Sequence, residues 1–218
     1  MARTKNRALV RNIIPGRTAL IYASVLGILG FTILGIYTNW RTVLIGAIAI
    51  LVYVVFYAIT KRRTVYGTIV GSIAGSAPPA AGYVAVANRF DSAAVLLFLI
   101  LTFWQMPHFY AIAIYRFKDY KAAGLPVLPV RKGIAAAKTQ ITLYILAFIA
   151  ALVMLSVLGY TGYTYLVVVG AAALAWLRLA VKGFSADNDE AWARRVFFYS
   201  LVVTLVFSFM LSVNAWLP

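Results

Sequence analysis

Seven runs of roughly 20 apolar residues divide this 218-residue chain, each long enough to cross about 30 Å of hydrocarbon as a helix. They fall at approximately residues 18–38, 42–60, 65–87, 92–114, 139–158, 162–181 and 196–216. Only 11% of the chain is charged and 64% is hydrophobic. A soluble domain carries about a quarter and about half respectively, so the apolar excess places the chain in lipid. The reading is an all-α polytopic membrane protein with seven transmembrane helices, residues 1–218 forming a single domain without repeats, linkers or low-complexity tracts. The first apolar run is too long, and lacks a clear cleavage site, to be a signal peptide.

The net charge of +15 would suggest a nucleic-acid partner in a soluble chain. Here the cations sit between apolar runs, as they do when they orient a membrane protein, and nucleic acid is set aside. Assigning spans alternately inward and outward places 18 of the 20 Lys and Arg on one side, with Arg41 and Arg89 alone on the other. The N-terminus is therefore expected in the cytoplasm and the C-terminus outside, in the plasma (inner) membrane of the cell. Four of the five acids, Asp119, Asp187, Asp189 and Glu190, share the basic side, so a site is expected at the cytoplasmic face. With no cysteine in the chain, disulfides, thiolate metal sites and covalent haem attachment are excluded.

The third run is unlike the others. Gly67, Gly71 and Gly75 recur four apart on one helical face, a spacing that lets helix backbones approach closely. Pro78 and Pro79 follow and are expected to break or kink the helix near mid-membrane.

The stretch Trp104–Val130 concentrates the polar chemistry. Gln105, His108 and Tyr115 interrupt an apolar helix that Pro107 is expected to kink. Arg116, Lys118, Asp119, Tyr120 and Lys121 follow within six residues, and Gly124, Pro126 and Pro129 are expected to form a stiff non-helical turn. Polar groups held at a membrane boundary suggest a preorganised site. An ordinary basic loop with Asp119 as a salt-bridge partner is the plainer reading. Two further cationic groups, Arg3–Arg7 and Lys61-Arg62-Arg63 with Tyr66 close by, lie on the same side. They suit a diphosphate or, equally, anionic lipid headgroups. His108, the only histidine, is open to a hydrogen bond with a neighbouring helix, iron ligation or acid–base work.

Several of these segments together resemble the haem O synthase (protohaem IX farnesyltransferase) family, a branch of the UbiA-type intramembrane prenyltransferases. They are Arg3-Thr4-Lys5-Asn6-Arg7, Arg63-Thr64-Val65-Tyr66-Gly67-Thr68, Gly75-Ser76-Ala77-Pro78-Pro79, Trp104-Gln105-Met106-Pro107-His108, Tyr115–Tyr120 and Pro126–Val130. The resemblance runs along the whole chain and is strongest over residues 61–133. It implies a nine-helix bundle around a cavity open to the cytoplasm, farnesyl diphosphate and protohaem IX (haem b) as substrates, and haem O as product. Mg²⁺ is implied through the diphosphate, haem b being substrate and not cofactor. A haem A synthase or the terminal oxidase assembly is an implied partner, beside the lipid bilayer.

For the site, the resemblance implies Asp119, Arg116 and Lys118 as catalytic residues, Asp119 also contacting the metal. Substrate contacts are expected from Asn6, Arg7, Lys61, Arg62, Arg63, Tyr66, His108, Tyr115, Tyr120 and Lys121. The cations are read as meeting diphosphate or haem propionates. His108 is read as a possible iron contact that a phenolic acceptor would not need. Tyr66, Trp104, Phe109 and Tyr110 are candidates for a π-rich enclosure of the allylic cation. The family also carries two helices and an aspartate-rich Mg²⁺ segment ahead of the position of Met1. The chain is accordingly read as N-terminally truncated, with little activity expected of it alone. Two other readings stay open: a related enzyme prenylating an aromatic quinone precursor, and a transporter or channel gated at the Pro-broken third span.

Overall fold

The computed structural model describes residues 6–217, and Arg3 and Lys5 lie outside the described residues. Helices α1 (Gly16–Tyr37) and α2 (Trp40–Leu51) form the first hairpin. A π-helical stretch, Val52–Tyr57, joins α2 to α3 (Ala58–Arg63) as one continuous span. Then come α4 (Gly67–Ala87), α5 (Ser92–Tyr115), the short α6 (Phe117–Ala122), α7 (Leu128–Val157), α8 (Tyr163–Val181) and α9 (Asp189–Val213). Seven helices or helix runs are long and apolar enough to cross a bilayer, making this a multi-pass membrane protein.

Helix α5 is the hub and packs on α4, α7 and α9, while α8 closes against α7 and α9. The best-buried large side chains lie there, among them Ile100, Met106, Ile141, Phe148 and Trp176. Lipid tails are as apolar as these residues, so close packing and interhelical hydrogen bonds must hold the bundle. Three indoles contribute. Trp104 Nε1 donates to the Ser200 carbonyl at 2.8 Å, Trp176 Nε1 to that of Val196 at 3.2 Å, and Trp192 Nε1 to that of Leu179 at 2.9 Å. Helix α1 buries none of its residues.

Four expectations change. The fifth span begins at Leu128 and not near 139. Arg131, Lys132 and Lys138 depress the hydropathy there, although Ile134-Ala135-Ala136-Ala137 is good helix sequence. Gly133, at φ +87°, sets a bend within this helix. The seventh span begins at Asp189, seven residues before the apolar run, with Asn188 capping the Ala191 N–H at 3.0 Å and two acids in its first turn. Pro129 sits in the first turn of α7, where a missing N–H costs nothing, so the non-helical turn ends before it. Pro78 and Pro79 do not end α4, which runs on to Ala87, and Pro107 lies inside α5. Transmembrane helices tolerate proline when local adjustments satisfy the freed carbonyls. A gate at a broken third span therefore has no broken helix to use.

The glycine stripe serves three different neighbours. A methyl on Gly67 would come within 2.8 Å of the Lys61 Cα, so this glycine lets the chain double back between α3 and α4. Gly71 admits the Tyr57 ring, 2.9 Å from where its Cβ would be, and Gly75 admits the Gln105 amide.

The end opposite the cations is stitched shut. The Asn39 amide donates to the Val84 carbonyl at 2.8 Å, Tyr83 Oη to the Asp91 carboxylate at 2.8 Å, and the Gly162 N–H to Asn214 Oδ1 at 3.0 Å.

Candidate functional site

The basic end holds a cavity of mixed lining, about 170 Å³, between the α3–α4 turn and the α6–α7 loop. Lys61, Thr64, Thr68 and Tyr120 give it a cation and three hydroxyls, and Tyr57 and Phe109 also line it. Lys61 belongs to the cationic last turn of α3, and its Nζ lies 5.1 Å from the centre of the Tyr57 ring. That ring stacks on Tyr53 at 5.3 Å. Both tyrosines belong to the π-helical stretch, a distortion often found where function needs side chains re-aimed.

Tyr57 and Phe109 also line a second space of about 570 Å³, with Tyr53, Gly71, Gly75 and Gln105. The missing Cβ atoms of Gly71 and Gly75 help open this slot. A third apolar groove of about 330 Å³ shares Ala49, Ile50 and Ala74 with it and reaches Phe31, Pro78 and Ala81. From Thr68 to Ala81 the path follows α4 for about 20 Å, at 1.5 Å per residue. A head chamber with one cation, an aromatic waist and an apolar channel thus follow one another from the basic end inward.

Gln105 is the one amide along this channel. It is buried, and its Nε2 donates to Ser76 Oγ at 2.9 Å, which also accepts from Thr102 Oγ1 at 2.9 Å. That bond directs Nε2 toward Ser76, while Oε1 lies over Gly75.

A separate cleft of about 360 Å³ lies between the start of α6, α7 and the start of α9, lined by Tyr115, Arg116, Lys118 and Asp119 with Asp189 and Glu190. The Arg116 guanidinium lies 5.0 Å from the Tyr115 ring centre. Lys138 Nζ meets Asp189 Oδ1 at 2.5 Å and lies 5.4 Å from the Trp192 ring centre. The charges of this cleft are thus nearly balanced.

The expected residues therefore divide. Lys61 and Tyr120 share the head chamber, whereas Tyr115, Arg116, Lys118 and Asp119 share the second cleft. Arg62, Arg63, Tyr66, Lys121, Asn6 and Arg7 are exposed and line neither. His108 lines neither; its Nδ1 lies 2.7 Å from Ser200 Oγ, and its ring stacks on Trp104 at 4.9 Å and meets Phe197 at 4.8 Å. Ser200 gives its one proton to the Phe197 carbonyl at 2.5 Å, so it must accept from His108 Nδ1–H.

Sequence reading missed Tyr53, Tyr57, Thr68, Asp189 and Glu190. The two tyrosines fall four apart just before Lys61, which places them on one helical face below a cation. Asp189 and Glu190 are far from Asp119 in sequence, and only the fold brings them near.

The model of the UbiA prenyltransferase family matches residues 1–202. Protoheme IX farnesyltransferase of Yersinia pseudotuberculosis serotype O:1b is 51% identical over 215 residues, covering 98% of this chain and 73% of the relative. The protein of that name from Cronobacter sakazakii is 50% identical over 219 residues, covering 100% and 74%. A solved structure from a study of digeranylgeranylglyceryl phosphate synthase in membranes superposes with a TM-score of 0.77, at 18% identity, over 98% of this chain and 75% of that one.

Proposed function

The chain belongs to the UbiA prenyltransferase family, and from that premise we propose that it transfers the farnesyl group of farnesyl diphosphate to a vinyl group of protohaem IX, making haem O. The observation that carries this reading is the identity of about half the residues, across nearly the whole chain, to proteins named for that reaction. The cavity path supports it, because a diphosphate on an isoprenoid tail needs a cationic polar head chamber opening into an apolar channel.

The Lys61 ammonium would hold the diphosphate by charge, and the hydroxyls of Thr68 and Tyr120 by hydrogen bonds. As the allylic carbon–oxygen bond breaks, its electron pair leaves with the diphosphate. The π faces of Tyr57 and Phe109 at the waist would stabilise the cation left behind. The terminal vinyl carbon then bonds to the allylic carbon. Water adds to the new cation beside the porphyrin ring and releases a proton, completing the hydroxyethylfarnesyl chain. In the second cleft Arg116 and Lys118 face Asp119 and Glu190, and Asp189 is paired with Lys138, so the polyanionic diphosphate suits the Lys61 chamber better. Arg116, Lys118 and Asp119 would meet the acceptor.

Members of the family generally use a divalent metal with the diphosphate substrate. Among the described residues no three His, Cys, Asp or Glu gather to hold one, and Asp189 is already paired with Lys138. The described residues do not fit a metal site of their own, and no step here runs through one. We place the basic end, and with it the N-terminus, at the cytoplasmic face of the cell inner membrane. Delivery of haem O to a haem A synthase or to oxidase assembly would follow.

The test is product identity. Proteoliposomes given protohaem IX, farnesyl diphosphate and Mg²⁺ are expected to form haem O, seen by its mass and retention, at whatever rate. Prenylation of a hydroxylated aromatic acid with protohaem untouched would favour the quinone-precursor reading and overturn this one.

A further inference from the structure

The largest groove described, about 700 Å³, lies apart from the prenyl path and shares only Glu190 with the second cleft. It runs along the outer faces of α8 and α9 at the basic end, with Arg194 and Arg195 above and Leu179, Phe198 and Val202 below. Both arginines are exposed, and among the described residues neither forms an ion pair. The Arg194 guanidinium lies 5.7 Å from the Phe198 ring centre. Phe198 and Val202 are 52% and 48% exposed, so the lower wall faces lipid. From Arg194 to Val202 the groove descends about 12 Å along α9, most of the roughly 15 Å hydrocarbon depth of one leaflet.

Cations over an apolar slot between two transmembrane helices match the chemistry of an acidic lipid. We propose that this groove holds an anionic phospholipid of the leaflet at the basic end. Its phosphate is paired by Arg194 and Arg195, and an acyl chain lies over Leu179, Phe198 and Val202. Glu190 and Asn188, at the upper edge, accept hydrogen bonds from a glycerol headgroup, so phosphatidylglycerol is the form that fits all four polar side chains.

Native mass spectrometry of protein released from nanodiscs of equal phosphatidylglycerol and phosphatidylcholine tests this. The protein is expected to retain phosphatidylglycerol preferentially. The preference should fall roughly fivefold per arginine, about 25-fold in Arg194→Gln/Arg195→Gln, and stay unchanged in Arg11→Gln. Val202→Trp, which fills the slot without touching charge, should lower retention of both lipids. An unchanged ratio in the double variant, an equal fall in Arg11→Gln, undiminished lipid in Val202→Trp, or displacement of phosphatidylglycerol by protohaem would each overturn the assignment.

Discussion

Lys138, buried on α7, reaches the Asp189 carboxylate at the start of α9 at 2.5 Å. This ion pair ties the bent entry of α7 to the helix that borders the second cleft. Breaking a fully buried pair costs about 3–5 kcal/mol, and the Asp189 side chain is 34% exposed, which screens part of that. Lys138→Met is expected to lose about 2 kcal/mol, seen as a lower thermal unfolding midpoint in detergent. Adding Asp189→Asn should recover about half. A double variant no better than the single would show that the pair is not coupled.

Gly75 is expected to be the least replaceable glycine on the tail channel. Gly75→Ala drives a methyl into the Gln105 amide, an overpacking cost of about 1–3 kcal/mol. The displaced amide intrudes on the slot and should raise the KM for farnesyl diphosphate. In a Gln105→Ala background the same substitution should be nearly neutral, because the crowded group is gone.

For His108 the hydrogen-bonded arrangement predicts a structural role. Ser200→Ala leaves Nδ1–H without its acceptor, at a cost of about 1–3 kcal/mol. His108→Ala should also lower the unfolding midpoint, yet leave the affinity and Soret band of bound protohaem unchanged. A shifted band would return His108 to the iron.

At the opposite end, Asp91 caps α5. Burial pushes its carboxyl pKa up, but hydrogen bonds from Tyr83 and the Ala94 and Ala93 N–H groups, with the charge of Arg89, hold it below its ordinary 3.8. A lowered carboxyl contributes stability above about pH 4 that is lost as pH falls through the folded value. Asp91→Asn should flatten the stability profile below pH 4 and leave its shape near neutrality unchanged. Identical acid slopes would contradict this.

Span number and the clustering of cations were legible because length, hydropathy and charge are local properties. Leu128–Lys138 was misplaced since hydropathy penalises Lys138 as though it stood in lipid, while the fold supplies Asp189 as its partner. The proline breaks failed for a related reason, as sequence does not show how a helix adjusts around Pro78 and Pro79. Within the site, Lys61 and Tyr120 announced themselves by charge and context. The spacing of Tyr53 and Tyr57 aligns them with Lys61, but in an ordinary apolar run it does not show that this face borders a cavity, which only the fold supplies. The division of the cations between two clefts depends on where α6 lies, which no spacing rule gives.

The central claim is that Lys61 holds the diphosphate head while the tail occupies the channel behind Tyr57 and Phe109. Equilibrium binding to the protein in nanodiscs, comparing a non-hydrolysable farnesyl diphosphate analogue with farnesol, separates head from tail. Lys61→Gln is predicted to weaken the analogue about tenfold, the loss of one charged hydrogen bond, and leave farnesol affinity unchanged. Equal affinity of Lys61→Gln and the unaltered protein for the analogue would contradict the account.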